Sequence, residues 1–384
     1  IIFGLKILII LSMMALTALV FFHQGDFTSL DLGRHLKNGE TVWRDSAVLY
    51  KNLYSYTEPN FPFVNHHWLA GVIYWWLYLI GGFKILTLLN LALGAAAVLI
   101  IFKLTVRKSN FILAGGLVLP VILLLSERVD IRPEMFSSLF LVLTYYLLED
   151  FRASQSVKKL TWLLPVFLVW VNTHIYFFVG LFLIGLVFLE QAFIRGKNFF
   201  RAEASRKFFY VSLAAVVACL VNPNFFNGLI YPFSLMGKYG GKVGENYEIV
   251  ENKSPFYLET LMIDYNILIF KVLLALLLIS FILIFWVKLK SRPEGQSRLK
   301  KFFSLNFYDL SVAGFFSAFA WLYMRNLPIF GLLVLPIMAK NFYEAGRSLF
   351  SGALERARIN SGASIGAGAM PLLVVFLIYI FTLG

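Results

Sequence analysis

Long apolar runs alternate with short polar connectors along almost the whole chain, a pattern that predicts an all-α polytopic membrane protein. A helix crossing a bilayer needs about 20 mostly apolar residues, roughly 17–25. Runs at 5–22, 83–104, 111–126, 134–149, 160–173, 175–194, 207–221, 266–287, 306–324, 328–339 and 370–383 meet or approach that length. The run at 68–80, WLAGVIYWWLYLI, is only about a dozen residues long. Its Trp68, Tyr74, Trp75, Trp76 and Tyr78 are the residue types that gather at membrane–water interfaces, so it reads as a helix lying in the interface. The prediction is therefore one transmembrane domain over 1–384 with about eleven spans, its N-terminus inside and its C-terminus outside. Two long outer loops follow from it, 23–82 (with the interfacial helix) and 222–265, and no soluble accessory domain.

Composition supports this pattern. Hydrophobic residues make up 59% of the chain and charged residues only 14%, with 40 Phe, 18 Tyr and 8 Trp. Soluble domains run near 45–50% apolar and about 25% charged, which excludes a water-soluble enzyme. The net charge of +13 could suggest nucleic acid, but the basic residues concentrate in the connectors assigned to the inside, and the outer segments are close to neutral. That asymmetry is the positive-inside signature, and a nucleic-acid partner is not implied. The single cysteine, Cys219, has no partner for an internal disulfide.

The polar residues of interest gather on the outer face. Asp26, Asp31, Arg34 and His35 follow the first span, and His66 and His67 precede the interfacial helix. Arg128, Asp130, Arg132 and Glu134 lie between spans three and four, and His174 lies at the tip between five and six. Asn222, Pro223 and Asn224 follow span seven, and Arg325 and Asn326 join spans nine and ten. Ionisable residues at the ends of many spans describe a site roofed by loops. Neighbouring side chains on a regular strand or helix point different ways, so His66 and His67 are not expected to share a zinc ion. No phosphate-binding loop, dinucleotide fingerprint, nucleophile elbow or zinc-protease motif occurs.

The order of short motifs resembles the GT-C superfamily of polytopic glycosyltransferases. In particular it resembles bacterial members whose first loop reads roughly D-x-x-x-H-L-x-x-G, then S-Y-T, then H-E-W-L. The corresponding stretches are Asp31-Leu-Gly-Arg-His35-Leu-Lys-Asn-Gly39, Tyr54-Ser-Tyr-Thr57 and His66-His-Trp-Leu69. Ile131-Arg-Pro133, Asn172-Thr-His174, Asn222-Pro223 and Arg325-Asn-Leu-Pro328 follow in the same order. The chain departs from the pattern at His67, where Glu is common, and at Gly33-Arg34, where an aromatic pair is common.

The resemblance implies a GT-C-like bundle in a bacterial inner (plasma) membrane, with an active site on the extracytoplasmic face. It further implies transfer of a sugar from a polyprenyl-phosphate-linked donor to a hydroxyl of a glycan, lipid or protein acceptor, with inversion. Asp31 then stands as general base, with Asp26 second and His35 as an orienting partner. Arg132 and Arg325 stand as phosphate-binding residues, with His66, His67, His174, Asn222 and Asn326 as substrate contacts. No metal ligand set is assigned, although a divalent metal (Mg or Mn) is compatible with the superfamily. Two other classes stay open: a non-catalytic scaffold or lipid-binding subunit of the same fold, and a lipid or sugar transporter. A transporter should carry ionisable groups near mid-membrane and an internal repeat, and neither is evident in the sequence.

Overall fold

The structure is a computed structural model that describes residues 2–22, 31–46, 50–51, 53–60, 63–239, 250–290 and 298–349. Its described residues form helices joined by loops. Among the described residues, six helices are long and apolar enough to cross a membrane: Phe3–Phe21, Trp68–Lys108, Phe111–Arg128, Phe177–Asn198, Tyr265–Leu289 and Met324–Leu349. Leu160–Thr173 is apolar but shorter. The predicted span at 370–383 and Asp26 lie outside the described residues. In lipid a backbone polar group has no water to bond, so an apolar run this long closes its hydrogen bonds within a helix.

The chain forms two compact units. The first comprises Ile1–Val20, Val98–Glu127 and Ser254–Gly384. Its helices are α1 (Ile2–Phe21), α4 (Phe111–Leu124), α10 (Pro255–Leu258), α11 (Tyr265–Lys290), α12 (Arg298–Leu322) and α13 (Leu327–Leu349). At its centre α13 packs against α4, α11 and α12 and is buried along nearly all of its apolar length. The Ile9 side chain of α1 lies where a β-carbon on Gly115 of α4 would sit, at 2.5 Å, so glycine there permits the close approach. Two pairs of polar groups inside this unit satisfy one another, as a lipid environment favours: Lys340 reaches Asp309 at 2.8 Å, and Asn341 donates to Ser280 at 3.3 Å.

The second unit comprises Phe21–Ala97 and Arg128–Lys253. It holds α2 (Leu32–Arg44), most of α3 (Trp68–Lys108), α5 (Glu134–Ser154), α6 (Leu163–Thr173), α7 (Phe177–Arg195), α8 (Glu203–Ala218) and α9 (Phe225–Tyr239). Helices α5 to α8 form a bundle in which α5 packs on α6 and α7, and α8 on α6 and α7. Arg152 closes one end of that bundle, donating twice to Glu190 and once to Glu149, all three side chains being largely buried.

Two features set the geometry of the segment between the first helix and the second predicted span. Helix α3 is broken at Gly81 (φ −154°, ψ 21°) and Gly82 (φ 61°, ψ −150°), which separates residues 68–80 from 83–108. Gly82 adopts a left-handed conformation that L side chains rarely tolerate, so the paired glycines are where the chain turns. The break falls where the sequence divides the aromatic run from the next span. Helix α2 was not anticipated from the sequence. It buries Leu32, His35, Asn38 and Gly39, a helical spacing. Its solvent side is laced by Lys37–Glu40 and Arg44–Glu40 ion pairs at 2.9 Å.

Candidate functional site

The residues of the first-loop motifs meet where α2 crosses the start of α3. A β-carbon on Gly39 would lie 2.0 Å from the carbonyl oxygen of Gly71, and one on Gly71 would lie 2.9 Å from that of His35. The two backbones therefore touch, which only glycine permits. This contact lays the His35 ring over His67, with centroids 5.4 Å apart and planes inclined by 26°. His67 also meets His66 (3.8 Å) and His174 (5.2 Å) edge-on, so four of the five histidines form one cluster. Leu32, Ala70, Tyr74, Leu86, Ile131 and Phe136 pack together beneath the crossing.

His66 and His67 correct one expectation. Their rings converge, because both residues sit in the turn before α3, where side-chain alternation does not hold. His66 Nδ1 donates to the Val64 carbonyl at 3.2 Å, which leaves its Nε2 to accept from His67 Nε2 at 2.8 Å. His67 Nδ1 is thereby left as an enclosed lone pair with no partner, and the buried Asn65 amide nitrogen is an enclosed donor with none. His174 is fixed from the other side. Trp170 Nε1 donates to Ser137 Oγ, and that hydroxyl donates to His174 Nδ1, both at 2.6 Å. The proton of a neutral His174 ring then resides on Nε2.

Burial favours the uncharged form of His35, His66 and His67. Desolvation lowers His35 to about 4, assisted by Arg34 and opposed by the carboxylates of Asp31 and Glu134, with His66 a further lowering influence. His66 is lowered to about 4 by desolvation against its bond to the Val64 carbonyl, with Arg34 a smaller lowering influence. His67, among three other imidazoles, is lowered well below its ordinary value, desolvation again being the largest cause. Neutral imidazoles can accept and donate hydrogen bonds at once, which suits hydroxyl recognition.

Asp31 stands at the N-terminus of α2 without capping it; its carboxylate is about half exposed and lies 3.5 Å from the Arg34 guanidinium. Arg132 lies in the loop before α5. Burial works against its charge, but Glu134, Glu251 and Asp130 outweigh this and raise its pKa. Its Nη1 donates to Glu251 at 3.0 Å, an acceptor shared with Arg128 at 2.6 Å. The loop is held by the buried Asn90 amide, which donates to the Val129 carbonyl. Glu134 acts on both His35 and Arg132 and so links the histidine cluster to the arginines.

The asparagines have a different character. Asn172 accepts from Trp68 Nε1 and donates to the carbonyls of Leu168 and Val221, each at 2.8 Å, so its amide ties α3, α6 and the end of α8 together. Asn222 donates to the carbonyls of Cys219 and Phe225 and accepts from the Asn224 amide. Both amides are thus engaged by the protein, and both border an open recess with Asn65, His66, Trp68 and Tyr231. Arg325 and Asn326 belong to the first unit, where Asn326 is buried and donates to the Phe319 carbonyl at 3.0 Å.

Several participants carry no assigned role at the level of sequence. Glu134, Ser137 and Trp170 join the site through interactions over long sequence separations. Two of the participants had a local signal: Glu134 stands soon after the motif Ile131-Arg-Pro133, and Asn65 stands directly before His66. Among the described residues, no group of three or more His, Cys, Asp or Glu is arranged to hold a metal ion.

The fold and composition define an integral membrane protein whose helices contact lipid. In comparisons with known families and with characterised proteins, no family model matches the chain and no significantly similar protein was found.

Proposed function

We propose that this protein is a membrane glycosyltransferase that moves a sugar from a polyprenyl-phosphate-linked donor to an acceptor hydroxyl, with inversion. The observation that carries this reading is the convergence, within one unit, of the motif residues Asp31, His35, His66, His67 and His174 from three separate stretches of sequence. Asp31 takes the acceptor's proton as that oxygen bonds to the anomeric carbon. The bond from that carbon to the phosphate oxygen breaks, and the lipid phosphate departs as an anion beside Arg132. The unpartnered His67 Nδ1 and Asn65 Nδ2 serve as acceptor and donor for sugar hydroxyls, because enclosed polar groups without partners call for a ligand to complete them.

One observation favours a second reading, a non-catalytic member of the same fold. Arg34, which stands where aromatic residues are common in the resembled proteins, pairs with Asp31 and competes for the proposed base. Transfer assays with a panel of polyprenyl-phosphate sugars decide between the two. Wild type should transfer from at least one donor, and Asp31→Asn should lower kcat by about 100-fold or more, the scale of a lost general base. Equal rates in both remove Asp31 from the mechanism, and no transfer from any donor favours the second reading.

A further inference from the structure

The loop before α5 holds an unusual charge arrangement. Arg128 and Arg132 both direct Nη1 at a single oxygen, Oε2 of Glu251, at 2.6 and 3.0 Å. Arg128 is about nine-tenths buried, with only 9% of its side chain exposed. Even so, its Nε and Nη2 are enclosed without a hydrogen-bond partner, and so is Nε of Arg132. Asp130 approaches Arg132 Nε only to 3.8 Å, beyond hydrogen-bond range. Two guanidinium groups thus converge, one carboxylate oxygen bridges them, and three N–H-bearing nitrogens remain unmet. Buried guanidinium donors without acceptors are costly, so this arrangement is incomplete as it stands.

The acceptor that completes it can be specified. A carboxylate is already present and leaves these donors unmet. A phosphate monoester offers three terminal oxygens and close to two negative charges, and guanidinium groups match that geometry with paired hydrogen bonds. Glu251 lies on the short turn Val250–Asn252, about a quarter exposed. It is therefore a carboxylate that can leave for solvent when a stronger acceptor arrives.

We propose that Arg128 and Arg132 form a phosphate-monoester site for which Glu251 is the internal competitor. The phosphate displaces Glu251 from both guanidinium groups, and the turn at 250–252 moves away from the loop at 128–132 as the site fills. If the glycosyltransferase reading holds, this is where the carrier's phosphate rests once the sugar has left it and it has become a monoester, and Glu251 returns as that product lipid leaves. The anion site itself stands on the arginine geometry alone.

Affinity measurements on the purified full-length protein in lipid nanodiscs test this, with farnesyl phosphate, farnesol and inorganic phosphate as probes. Glu251→Gln removes the competing charge and should tighten farnesyl phosphate by about tenfold. Arg128→Lys keeps the charge but loses the forked donor geometry and should weaken it by about tenfold. Neither change should alter farnesol binding. Inorganic phosphate bound as tightly as farnesyl phosphate, with the same response to both variants, supports the site with a free-phosphate source. Tighter binding of the lipid supports a lipid-phosphate source. A variant that merely misfolds cannot gain affinity, so Glu251→Gln is decisive: unchanged or weaker phosphate binding overturns the proposal. The expected binding pattern without sugar transfer leaves the anion site standing and removes the enzyme reading. Sugar transfer without that pattern does the reverse.

Discussion

At the residue scale, the histidine cluster makes the fold sensitive to acid. His35 and His66 have an ordinary value of 6.5 that the folded protein lowers to about 4. Above pH 6.5 the ring is neutral in both folded and unfolded states, and stability is at its full value. Below 6.5 the unfolded chain takes up protons that the folded site refuses, so stability falls until the folded rings also protonate near pH 4. Well inside that window each such ring withdraws ~1.4 kcal/mol per pH unit. Thermal unfolding followed by circular dichroism should therefore give a lower Tm at pH 5 than at pH 7. His35→Gln should flatten that dependence, because the replacement amide does not titrate. A Tm unchanged across the interval, or higher at pH 5, would contradict a cluster held neutral by burial. The identities of these histidines were legible in the sequence. Their mutual contact was not, since it depends on a helix crossing and on the turn that brings His66 onto His67.

At the scale of elements, the crossing of α2 and α3 positions the cluster, and it depends on two glycines. A methyl group on Gly39 would meet only backbone, the Gly71 carbonyl oxygen at 2.0 Å and carbon at 2.3 Å, so no side chain can yield. Gly39→Ala should cost ~1–3 kcal/mol of stability as the helices are forced apart. It should also separate His35 from His67 and weaken any activity of the site. Gly33, on the same helix, has nothing within 4 Å of the point where a β-carbon would sit. Gly33→Ala should therefore be neutral or stabilising by up to ~1 kcal/mol, since alanine is the better helix former. Denaturation of the two variants side by side checks the argument, and equal stability would show that the backbones do not touch. The break in α3 was readable from the short aromatic run at 68–80, which the sequence separates from the span at 83–104. Helix α2 was hidden because the positions it buries, Leu32, His35, Asn38 and Gly39, include only one apolar side chain of any size and lie in a segment otherwise read as loop.

At the scale of the whole molecule, the apolar runs were legible because lipid leaves a spanning segment only one economical way to satisfy its backbone. The site was legible only as a set of candidates, since its contacts join stretches more than a hundred residues apart, as Trp68 and Asn172 show. The sidedness that the charge pattern predicts can be measured with the lone cysteine removed. In a Cys219→Ser background, Tyr56→Cys places a thiol at a position that is 95% exposed, in the loop assigned outside. Ser156→Cys places one at an exposed position in a basic connector assigned inside. Three predicted spans, 83–104, 111–126 and 134–149, separate them, so the two thiols should lie on opposite faces. An impermeant maleimide added to intact cells should label residue 56 readily and residue 156 only once the membrane is opened. If 68–80 crossed the bilayer instead of lying in the interface, a fourth span would put both positions on one face. Labelling of both, or of neither, in intact cells would thus overturn the interfacial placement of the aromatic helix, and labelling of residue 156 alone would invert the topology. Only the first outcome leaves the histidine cluster and the arginine pair on the extracytoplasmic side, where a polyprenyl-phosphate donor would have to meet them.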